Sequence, residues 1–233
     1  MSDGNLIGLG LYTPAEAGRL LRVAPAKISR WLRGHHSQNK FYPPLWASEV
    51  SLGDDRVFLS FRDLMETRVA DAFIRRGVSA IRVRAAIAVA KEVIGEDRPL
   101  STNRFRTDGR EIFLHIINED ENGEQREQLL NLFRRQFEFN GIIDPLLKTV
   151  DFSEDGNPLT WWPGGRRLDV VVDPARSFGQ PIDAQSSVPT AILAAAARQI
   201  GDTKAAARDY DVPEKSVRNA VEFETTMEQR LAA

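Results

Sequence analysis

Apolar residues recur at helical spacing near the start of the chain. In the segments YTPAEAGRLL and VAPAKISRWLRG they return at intervals of three and four, which predicts two short amphipathic helices. Thr13 is placed to cap the first helix, and Gly34 is placed to end the second. Only three residues join the helices, and Ala17 is small where they are expected to cross. The pattern predicts a helix-turn-helix.

A wing-type hairpin is predicted next. Residues 47–52 and 56–59 have the pattern of strands on either side of the turn at residues 53–55. Two further helices follow, and Ser60 and Ser79 are the residues expected to cap them. The first part of the chain is therefore predicted to run helix, turn, helix, hairpin and two helices.

The middle of the chain has a mixed pattern. In NRFRTDGREIFLHII the Asp-Gly pair at residues 108–109 predicts a hairpin turn, and residues 125–132 have the pattern of another strand. Residues 133–149 are apolar enough for a helix that Gly141 and Pro145 should break. The segment VDFSEDGNPLTWWP predicts one more hairpin, around its Asp-Gly-Asn.

The C-terminal part has the pattern of one strand followed by helices. LDVVVDP is a continuous apolar run and predicts a buried strand. An alanine-rich helix over residues 189–200 should end at Gly201. Residues 203–210 and 214–227 then predict a second helix-turn-helix.

The fold class follows from this order of elements. The sequence predicts an α+β fold, mainly α, with an N-terminal winged helix-turn-helix, a small mixed β middle segment and a C-terminal helical domain. A chain of 233 residues can bury a sizeable core and hold more than one domain. The expected domains are the winged helix-turn-helix over residues 1–95, a connecting segment over 96–165 and a helical domain over 166–233.

Charge is divided unevenly along the chain. The formal net charge is −2, but residues 1–93 carry 14 Lys and Arg against 9 Asp and Glu, whereas residues 94–233 carry 17 against 24. Only the first part has the positive balance that attracts phosphate, with chance clustering as the alternative. The chain has no cysteine, no run long enough to span a membrane and no secretion signal, so a cytoplasmic protein is expected.

Nothing in the sequence requires catalysis. It holds no Walker-type phosphate loop and no serine-hydrolase motif, and its three histidines lack the spacing of a zinc site. The adjacent His35 and His36 either extend a weak cationic patch or have no role. The acidic run over residues 119–124 is typical of a solvated loop. We expect no enzyme activity, no bound metal and no cofactor.

The second helix of the first pair is the candidate DNA-reading helix. The N-terminal residues of such a helix approach base edges in the major groove. Arg30 is the best candidate for a bidentate contact with guanine, and Lys27 could act as a point charge. Trp31 is expected in the core of the helix pair rather than stacked on a base. The residues expected to contact DNA are Thr13, Ala26, Lys27, Ser29, Arg30, Arg33 and Arg56.

The first part of the chain resembles the MerR-type regulators over roughly residues 11–94. The resemblance rests on the order of elements and on the segments YTPAEAGRLLRVAPAKISRWL and FLSFRDLMETRVADAFIRRGVSAIRVRAAI. It implies a winged helix-turn-helix that binds double-stranded DNA. The wing tip departs from the family pattern because it is acidic, so any phosphate contact there falls to Arg56.

The C-terminal segment resembles a small bacterial antitoxin domain. In VVVDPARSFGQPIDAQSSVPTAILAAAARQIGDTKAAARDYDVPEKSVRNAVEFE a strand is followed by an Arg-x-x-Phe-Gly-x-Pro turn and a helix-turn-helix. The matching turn residues are Asp173, Pro174, Arg176, Phe178, Gly179 and Pro181. Together the two parts resemble VapB-type antitoxins. The resemblance implies a homodimer that binds operator DNA and a PIN-like ribonuclease toxin.

The turn of that domain is expected to serve folding. Gly179 permits positive φ, Pro181 stiffens the exit, and Phe178 is expected to anchor the turn in the core. A dimer contact is placed on the helix over residues 189–200. The second helix-turn-helix has polar residues of suitable types for DNA, namely Lys215, Ser216, Arg218 and Asn219. The negative balance of residues 201–233 favours packing or partner binding there instead.

Two other functions stay open. In one, the chain is a MerR-like one-component regulator whose residues 94–233 sense a small molecule in an aromatic pocket. The candidate pocket residues are Trp161, Trp162, Phe137 and Phe139, although core packing is the more common use of each. In the other, the chain is a structural adaptor with no nucleic-acid role.

Overall fold

The computed structural model describes residues 8–53, 56–118 and 136–232 and confirms a mainly helical α+β chain. Its helices are α1 (Pro14–Leu21), α2 (Pro25–Arg33), α3 (Phe61–Arg75), α4 (Ala80–Ile94), α5 (Phe105–Asn118), α6 (Gln136–Leu147), α7 (Thr190–Ile200), α8 (Thr203–Asp209) and α9 (Glu214–Ala232). Its strands are β1 (His35–Ser37), β2 (Lys40–Tyr42), β3 (Val150–Phe152), β4 (Pro158–Trp161), β5 (Val170–Val172) and β6 (Pro181–Asp183). Within these ranges no helix combines the length and apolarity needed to cross a bilayer.

The first helix-turn-helix is present as α1 and α2, and its predicted ends are confirmed. Thr13 begins α1 through a capping box: its hydroxyl accepts a hydrogen bond from the Glu16 amide at 3.3 Å, and the Glu16 carboxylate accepts one from the Thr13 amide at 2.8 Å. Arg22 ends α1 in the left-handed region, with a φ of 58°. Pro25 begins α2, and proline loses no hydrogen bond there because the first amide of a helix has no carbonyl partner within it. Gly34 follows the last residue of α2.

The predicted wing over residues 47–59 is wrong. In the described part of that segment neither predicted strand forms, and Leu59 alone makes an isolated bridge, with Tyr12. The buried carboxylate of Asp63 holds the backbone instead, because it accepts a hydrogen bond from the Glu49 amide at 2.9 Å. Backbone amides that bond to a side chain are not available to a neighbouring strand.

A hairpin forms earlier, directly after α2. Strands β1 and β2 pair antiparallel, with His35 opposite Tyr42. Gln38 and Asn39 form the turn and supply its two positive φ angles, 48° and 59°. The acidic tip of the predicted wing, residues 54–55, lies outside the described residues.

The predicted hairpin at residues 108–109 is also wrong, because that segment lies in helix α5. Phe105 and Phe113 are two helical turns apart and fully buried. The Phe105 ring lies across Gly109 so closely that a Cβ there would be 2.8 Å from it, and Phe73 of α3 packs on Phe113 with ring centroids 4.5 Å apart. Burial of this aromatic face outweighs the turn preference of the Asp-Gly pair.

Helix α6 continues through Pro145, so the predicted break is wrong. Pro145 lies two residues before the helix end at Leu147. Its missing amide therefore removes a single hydrogen bond, the one that the Gly141 carbonyl would accept, close to the helix end. The start of the predicted helix and the predicted strand at residues 125–132 lie outside the described residues.

Strands β3 to β6 form an antiparallel sheet in chain order. The predicted hairpin between β3 and β4 is confirmed: Gly156 has a φ of 82°, and the Ser153 amide donates to the Asn157 carbonyl at 2.8 Å. The predicted strand is confirmed as β5, whose three valines are buried. Helix α7 ends before Gly201 as predicted, and α8 and α9 form the second helix-turn-helix.

One hydrophobic cluster extends from Tyr12 through α3, α4 and the sheet to α9, and a smaller one lies among α7, α8 and α9. Polar contacts also tie α1 to the C-terminal part. Arg19 of α1 pairs with Glu224 of α9, whose carboxylate accepts a hydrogen bond from the Thr190 hydroxyl at 2.6 Å. The Tyr12 hydroxyl donates to the Gly179 carbonyl at 2.8 Å. The first helix pair therefore packs directly on the C-terminal part of the chain.

Candidate nucleic-acid interface

The turn between α1 and α2 is tight because Gly18 leaves room for it. A Cβ on Gly18 would lie 2.5 Å from the Val23 carbonyl oxygen, and the Val23 amide donates to the Gly18 carbonyl at 3.2 Å. Ala17, where the close crossing was expected, is fully buried beside it. The glycine, rather than the alanine, sets how closely the second helix follows the first.

Helix α2 presents one face to solvent. Ala26, Arg30 and Arg33 are exposed at spacings of four and three, so they lie along one side of the helix, with Ser29 half-buried beside them. The opposite stripe is buried and includes Trp31, which confirms its expected place in the core. Within the described ranges neither arginine forms an ion pair.

Lys27 has a different environment. Its Nζ lies 3.1 Å from a carboxylate oxygen of Asp71 on α3 and 4.8 Å from the centre of the Trp31 ring. The same carboxylate accepts a hydrogen bond from Arg75, which in turn donates to the Arg22 carbonyl. The Lys27 side chain is only 33% exposed. It ties α2 to α3, so part of its charge is already neutralised within the chain.

The predicted contacts divide between the two sides of α2. One surface depression, of about 270 Å³, brings together Thr13, Ser29, Arg33 and Arg56. A second, of about 260 Å³, is lined by Lys27, Arg30, Trp31, His35 and Arg84, among others. Four of the seven predicted residues therefore share one site, and Lys27 and Arg30 belong to the neighbouring one.

The local sequence makes this surface positive. Residues 17–48 include six Lys and Arg and no Asp or Glu. Two of the six are neutralised by distant carboxylates, Arg19 by Glu224 and Lys27 by Asp71. Arg30 and Arg33, which form no ion pair within the described ranges, give the surface around α2 a positive potential, which attracts phosphate.

The β1–β2 hairpin extends this surface, and the sequence analysis missed it. His35 stacks on Tyr42 with ring centroids 5.1 Å apart, and His36 contacts Phe41 at 5.0 Å. A Cβ on Gly34 would lie 2.5 Å from the Tyr42 carbonyl oxygen, so the hairpin is held against the end of α2. The available signal was an asparagine-containing turn between short aromatic runs, but three-residue strands give too little pattern to recognise.

Helix α3 supports the pair with buried carboxylates. Asp63, Glu66 and Asp71 are all buried. Glu66 accepts a hydrogen bond from the Ser101 amide at 2.9 Å, and burial raises its pKa to about 8. At neutral pH Glu66 therefore keeps its proton, whereas Asp71 is paired with cations.

The second helix-turn-helix offers a different surface. Lys215 lies 2.5 Å from Asp169, and Arg218 lies 3.8 Å from Glu214, so both candidate cations have carboxylate partners within the chain. Ser216 is buried. These contacts favour the packing or partner-binding role over contact with DNA.

The structure brings the residues of the C-terminal turn together. The Arg176 guanidinium donates to the Asp173 carboxylate at 2.7 Å and to the Ser187 hydroxyl at 3.0 Å. Pro174 follows Asp173 in the turn, and Pro181 begins β6. The turn is thus closed by a charged hydrogen bond at its centre.

Phe178 does not lie in the core, and that prediction is wrong. The residue is 71% exposed, with a φ of 54°. The Leu11 amide donates to its carbonyl at 3.1 Å, which holds the carbonyl toward the protein and leaves the ring in solvent. Gly179 has the expected positive φ, 81°, and its carbonyl accepts the hydrogen bond from Tyr12.

Comparison with known proteins adds a relative of similar length. No family model matches the chain. It is 26% identical over 222 residues to a Mycobacterium tuberculosis protein described as "Putative antitoxin VapB45", a match that covers 91% of this chain and 92% of that protein. This chain also resembles the crystal structure of Rv2018 from Mycobacterium tuberculosis, with a TM-score of 0.72 and 26% identity. The match covers 92% of this chain and 99% of the Rv2018 chain. This similarity supports a VapB-type antitoxin.

Proposed function

We propose that this protein is the antitoxin of a type II toxin–antitoxin pair. It binds and neutralises a PIN-like ribonuclease toxin, and it binds operator DNA to repress transcription of its own operon. The observation that carries the proposal is the similarity to a protein described as a putative antitoxin along 91% of the chain. The protein acts as a cytoplasmic regulator and not as an enzyme.

In this proposal α2 lies in the major groove in the manner of MerR-type readers. Arg30 makes the bidentate contact with guanine, with Ala26 and Lys27 close to base edges. Thr13, Ser29, Arg33 and Arg56, which share one depression, contact the phosphate backbone on one side of the groove. Two exposed arginines of α2, which form no ion pair with any described residue, support this orientation.

The DNA contact is tested with two duplexes, one from the promoter upstream of the gene and one of unrelated sequence. Arg30→Ala should weaken binding to the promoter duplex about 10-fold or more, and it should weaken binding to the unrelated duplex less. Arg33→Ala should weaken both alike and lower the salt dependence by about one charge. Arg167→Ala is the control, since Arg167 is 85% exposed and lies outside both depressions beside α2. Equal promoter binding by wild type and Arg30→Ala would refute the proposed orientation.

The toxin contact is assigned to the C-terminal part. Residues 94–233 are acidic overall, although residues 166–233 carry only one negative charge in excess, with 9 Lys and Arg against 10 Asp and Glu; an acidic surface complements the basic cleft of a protein that binds RNA. The test is to co-purify the protein with the PIN-like protein encoded beside its gene and to measure RNA cleavage. We expect the wild-type chain to abolish cleavage; nuclease activity that persists in its presence would contradict the proposal.

A homodimer is part of the proposal because one reader buries too little surface for tight operator binding. We place the contact on α7, where Ile192 and Ile200 are exposed next to Tyr210 and line a depression of about 520 Å³. Ile192→Glu should convert the dimer to a monomer in sedimentation experiments. Val93→Glu, an equally exposed apolar position on α4, should leave it unchanged. A dimer that persists in Ile192→Glu places the contact elsewhere.

We also propose the division of labour that the sequence predicts. Residues 1–95 bind DNA, residues 96–165 connect, and residues 166–233 bind the toxin and the second copy. The one-component regulator gains no support, because Trp161 and Phe139, which would line its pocket, are buried in the core.

A further inference from the structure

Phe178 combines two unfavourable features. It is the most exposed of the large apolar residues in the described part of the chain, at 71%. It also adopts the left-handed backbone region, with a φ of 54° directly after Ser177 at 46°. A residue with a Cβ is disfavoured in that region, and an exposed aromatic ring gains nothing from burial. Neither feature stabilises the isolated chain.

The surrounding structure nevertheless fixes this conformation. The Leu11 amide holds the Phe178 carbonyl, and the Tyr12 hydroxyl holds the next carbonyl, that of Gly179. A Cβ on Gly179 would lie 2.1 Å from the Tyr12 hydroxyl, so the turn and the N-terminal segment are pressed together. Arg176 braces the other side through Asp173. Strain that neighbouring contacts maintain in this way is a sign of function.

Charge around the turn is unlike charge around α2. One surface depression, of about 240 Å³, includes turn residues that follow Phe178, and a second, of about 400 Å³, includes turn residues that precede it. The charged residues that line them are Glu16, Arg19 and Glu224 in the first, and Glu49, Arg62 and Asp173 in the second. Each depression is therefore negative by one charge, whereas both depressions beside α2 are positive. Asp173 and Glu16 add to the effect of burial in raising the pKa of Tyr12. Phosphate is disfavoured here, and a basic protein is favoured.

We infer that Phe178 is the anchor of the toxin-binding surface and inserts its ring into an apolar pocket of the basic ribonuclease. This inference rests on the proposed antitoxin function. An aromatic side chain on a rigid turn is typical of residues that dominate a protein–protein interface. Because the turn is already fixed, binding costs little ordering of the backbone.

Phe178→Asn separates binding from folding, because asparagine accepts the left-handed region. We expect binding to the PIN-like ribonuclease encoded beside the gene to weaken about 30-fold, the size of an interface hot spot. The melting temperature should rise by about 2 °C as strain is relieved. The matched control is Gln38→Asn, at an exposed turn residue with a φ of 48°, which should gain stability and keep its affinity. A fall in melting temperature with unchanged affinity would show that Phe178 serves folding only.

The absence of cysteine gives a second measurement. Phe178→Cys carries the only thiol in the chain, and so does the control Phe41→Cys, whose parent residue is 51% exposed on the β1–β2 hairpin. Bound ribonuclease should slow maleimide modification at residue 178 at least tenfold and leave residue 41 unaffected. Protection of residue 178 by promoter DNA, or by raising the concentration of the protein alone, would assign the ring to DNA or to a second copy and overturn the inference.

The two levels of the proposal fail differently. If the wild-type chain does not bind the ribonuclease, toxin neutralisation is refuted and the inference falls with it. If wild type and Phe178→Asn bind equally well, the inference alone is refuted and the antitoxin function stands.

Discussion

The chain contains two helix-turn-helix pairs of nearly the same backbone construction, α1–α2 and α8–α9. In the first, the Val23 amide donates to the Gly18 carbonyl at 3.2 Å; in the second, the Val212 amide donates to the Ala207 carbonyl at 2.9 Å. In both, a residue in the left-handed region precedes the valine, and a proline follows it within two residues. The backbone of the turn therefore does not distinguish the two pairs.

Charge pairing separates the two. The second helix of the first pair leaves Arg30 and Arg33 in solvent, whereas the second helix of the other pair has Lys215 bound to Asp169 and Arg218 close to a carboxylate. The supports differ as well. Helix α3 contains three buried carboxylic acids, whereas the described residues of α8 and α9 include one, Glu224, beside a cluster of alanine, valine and leucine. The two pairs therefore differ in charge: in the described part of the chain the second helix of the first pair has two arginines without an ion pair, Arg30 and Arg33, and this difference supports the first pair as the proposed DNA-binding one.

The largest expected effect concerns the acid in the support of the first pair. The folded chain keeps the Glu66 proton up to about pH 8, whereas the unfolded chain releases it above about pH 4.3. Wild-type stability should therefore fall as pH rises between these values, by up to about 1.4 kcal/mol per unit from this group. Glu66→Gln removes that term. The free energy of unfolding, measured with urea, should be nearly the same for Glu66→Gln and wild type at pH 4. At pH 8 it should be several kcal/mol higher for Glu66→Gln.

The pH dependence is what identifies the cause. An advantage of Glu66→Gln that is the same at both pH values would mean that the substitution acts through packing. The buried acid of the second pair, Glu224 of α9, pairs with Arg19, so its substitution would also remove an ion pair and is not a matched control.

A smaller effect tests the shared turn. Gly18→Ala should destabilise the fold by about 2 kcal/mol, because the new Cβ would overlap the Val23 carbonyl. At the equivalent position of the second pair an alanine is already accommodated, so Ala207→Gly should cost only about 1 kcal/mol, through helix propensity. Thermal unfolding of the two variants measures the difference. Equal costs would indicate that the two turns are equally close.

The smallest effect concerns the pairing itself. Asp169→Asn combined with Glu214→Gln would remove the carboxylate partners of Lys215 and Arg218. Affinity for a duplex of unrelated sequence should rise a few-fold. The salt dependence of that affinity should become steeper, by the equivalent of at most about two phosphate contacts. Promoter selectivity should not improve. An unchanged salt dependence would show that these cations face away from DNA for reasons of geometry rather than charge.

Features set by neighbours in sequence were predictable. Thr13 and Ser60 begin helices because a short hydroxyl side chain can satisfy a free amide three residues on, and Gly201 ends one because it accepts positive φ. The exposed side of α2 follows from helical periodicity, so the positions of Arg30 and Arg33 could be anticipated.

Features set by distant residues could not be predicted. Asp63 binds the backbone of residue 49 and prevents the wing, and Phe73 draws the segment around Gly109 into a helix. Lys27 is partly neutralised by a carboxylate 44 positions away. Phe178 has an aromatic side chain of the kind usually found in a core, and the contacts of neighbouring residues place it at the surface. In each case the decisive partner lies outside any local window.

The contact between Arg19 and Glu224 has a consequence for the operator. Together with the hydrogen bond from Tyr12 to Gly179, it fixes the first helix pair against the C-terminal part of the chain. In the proposed dimer, with its contact on α7, the distance between the two copies of α2 is therefore fixed. Each base pair inserted between half-sites moves the second one by about 3.4 Å and rotates it around the duplex. We therefore expect the affinity for the operator to depend on the spacing between half-sites. One inserted base pair should weaken binding as much as one changed base.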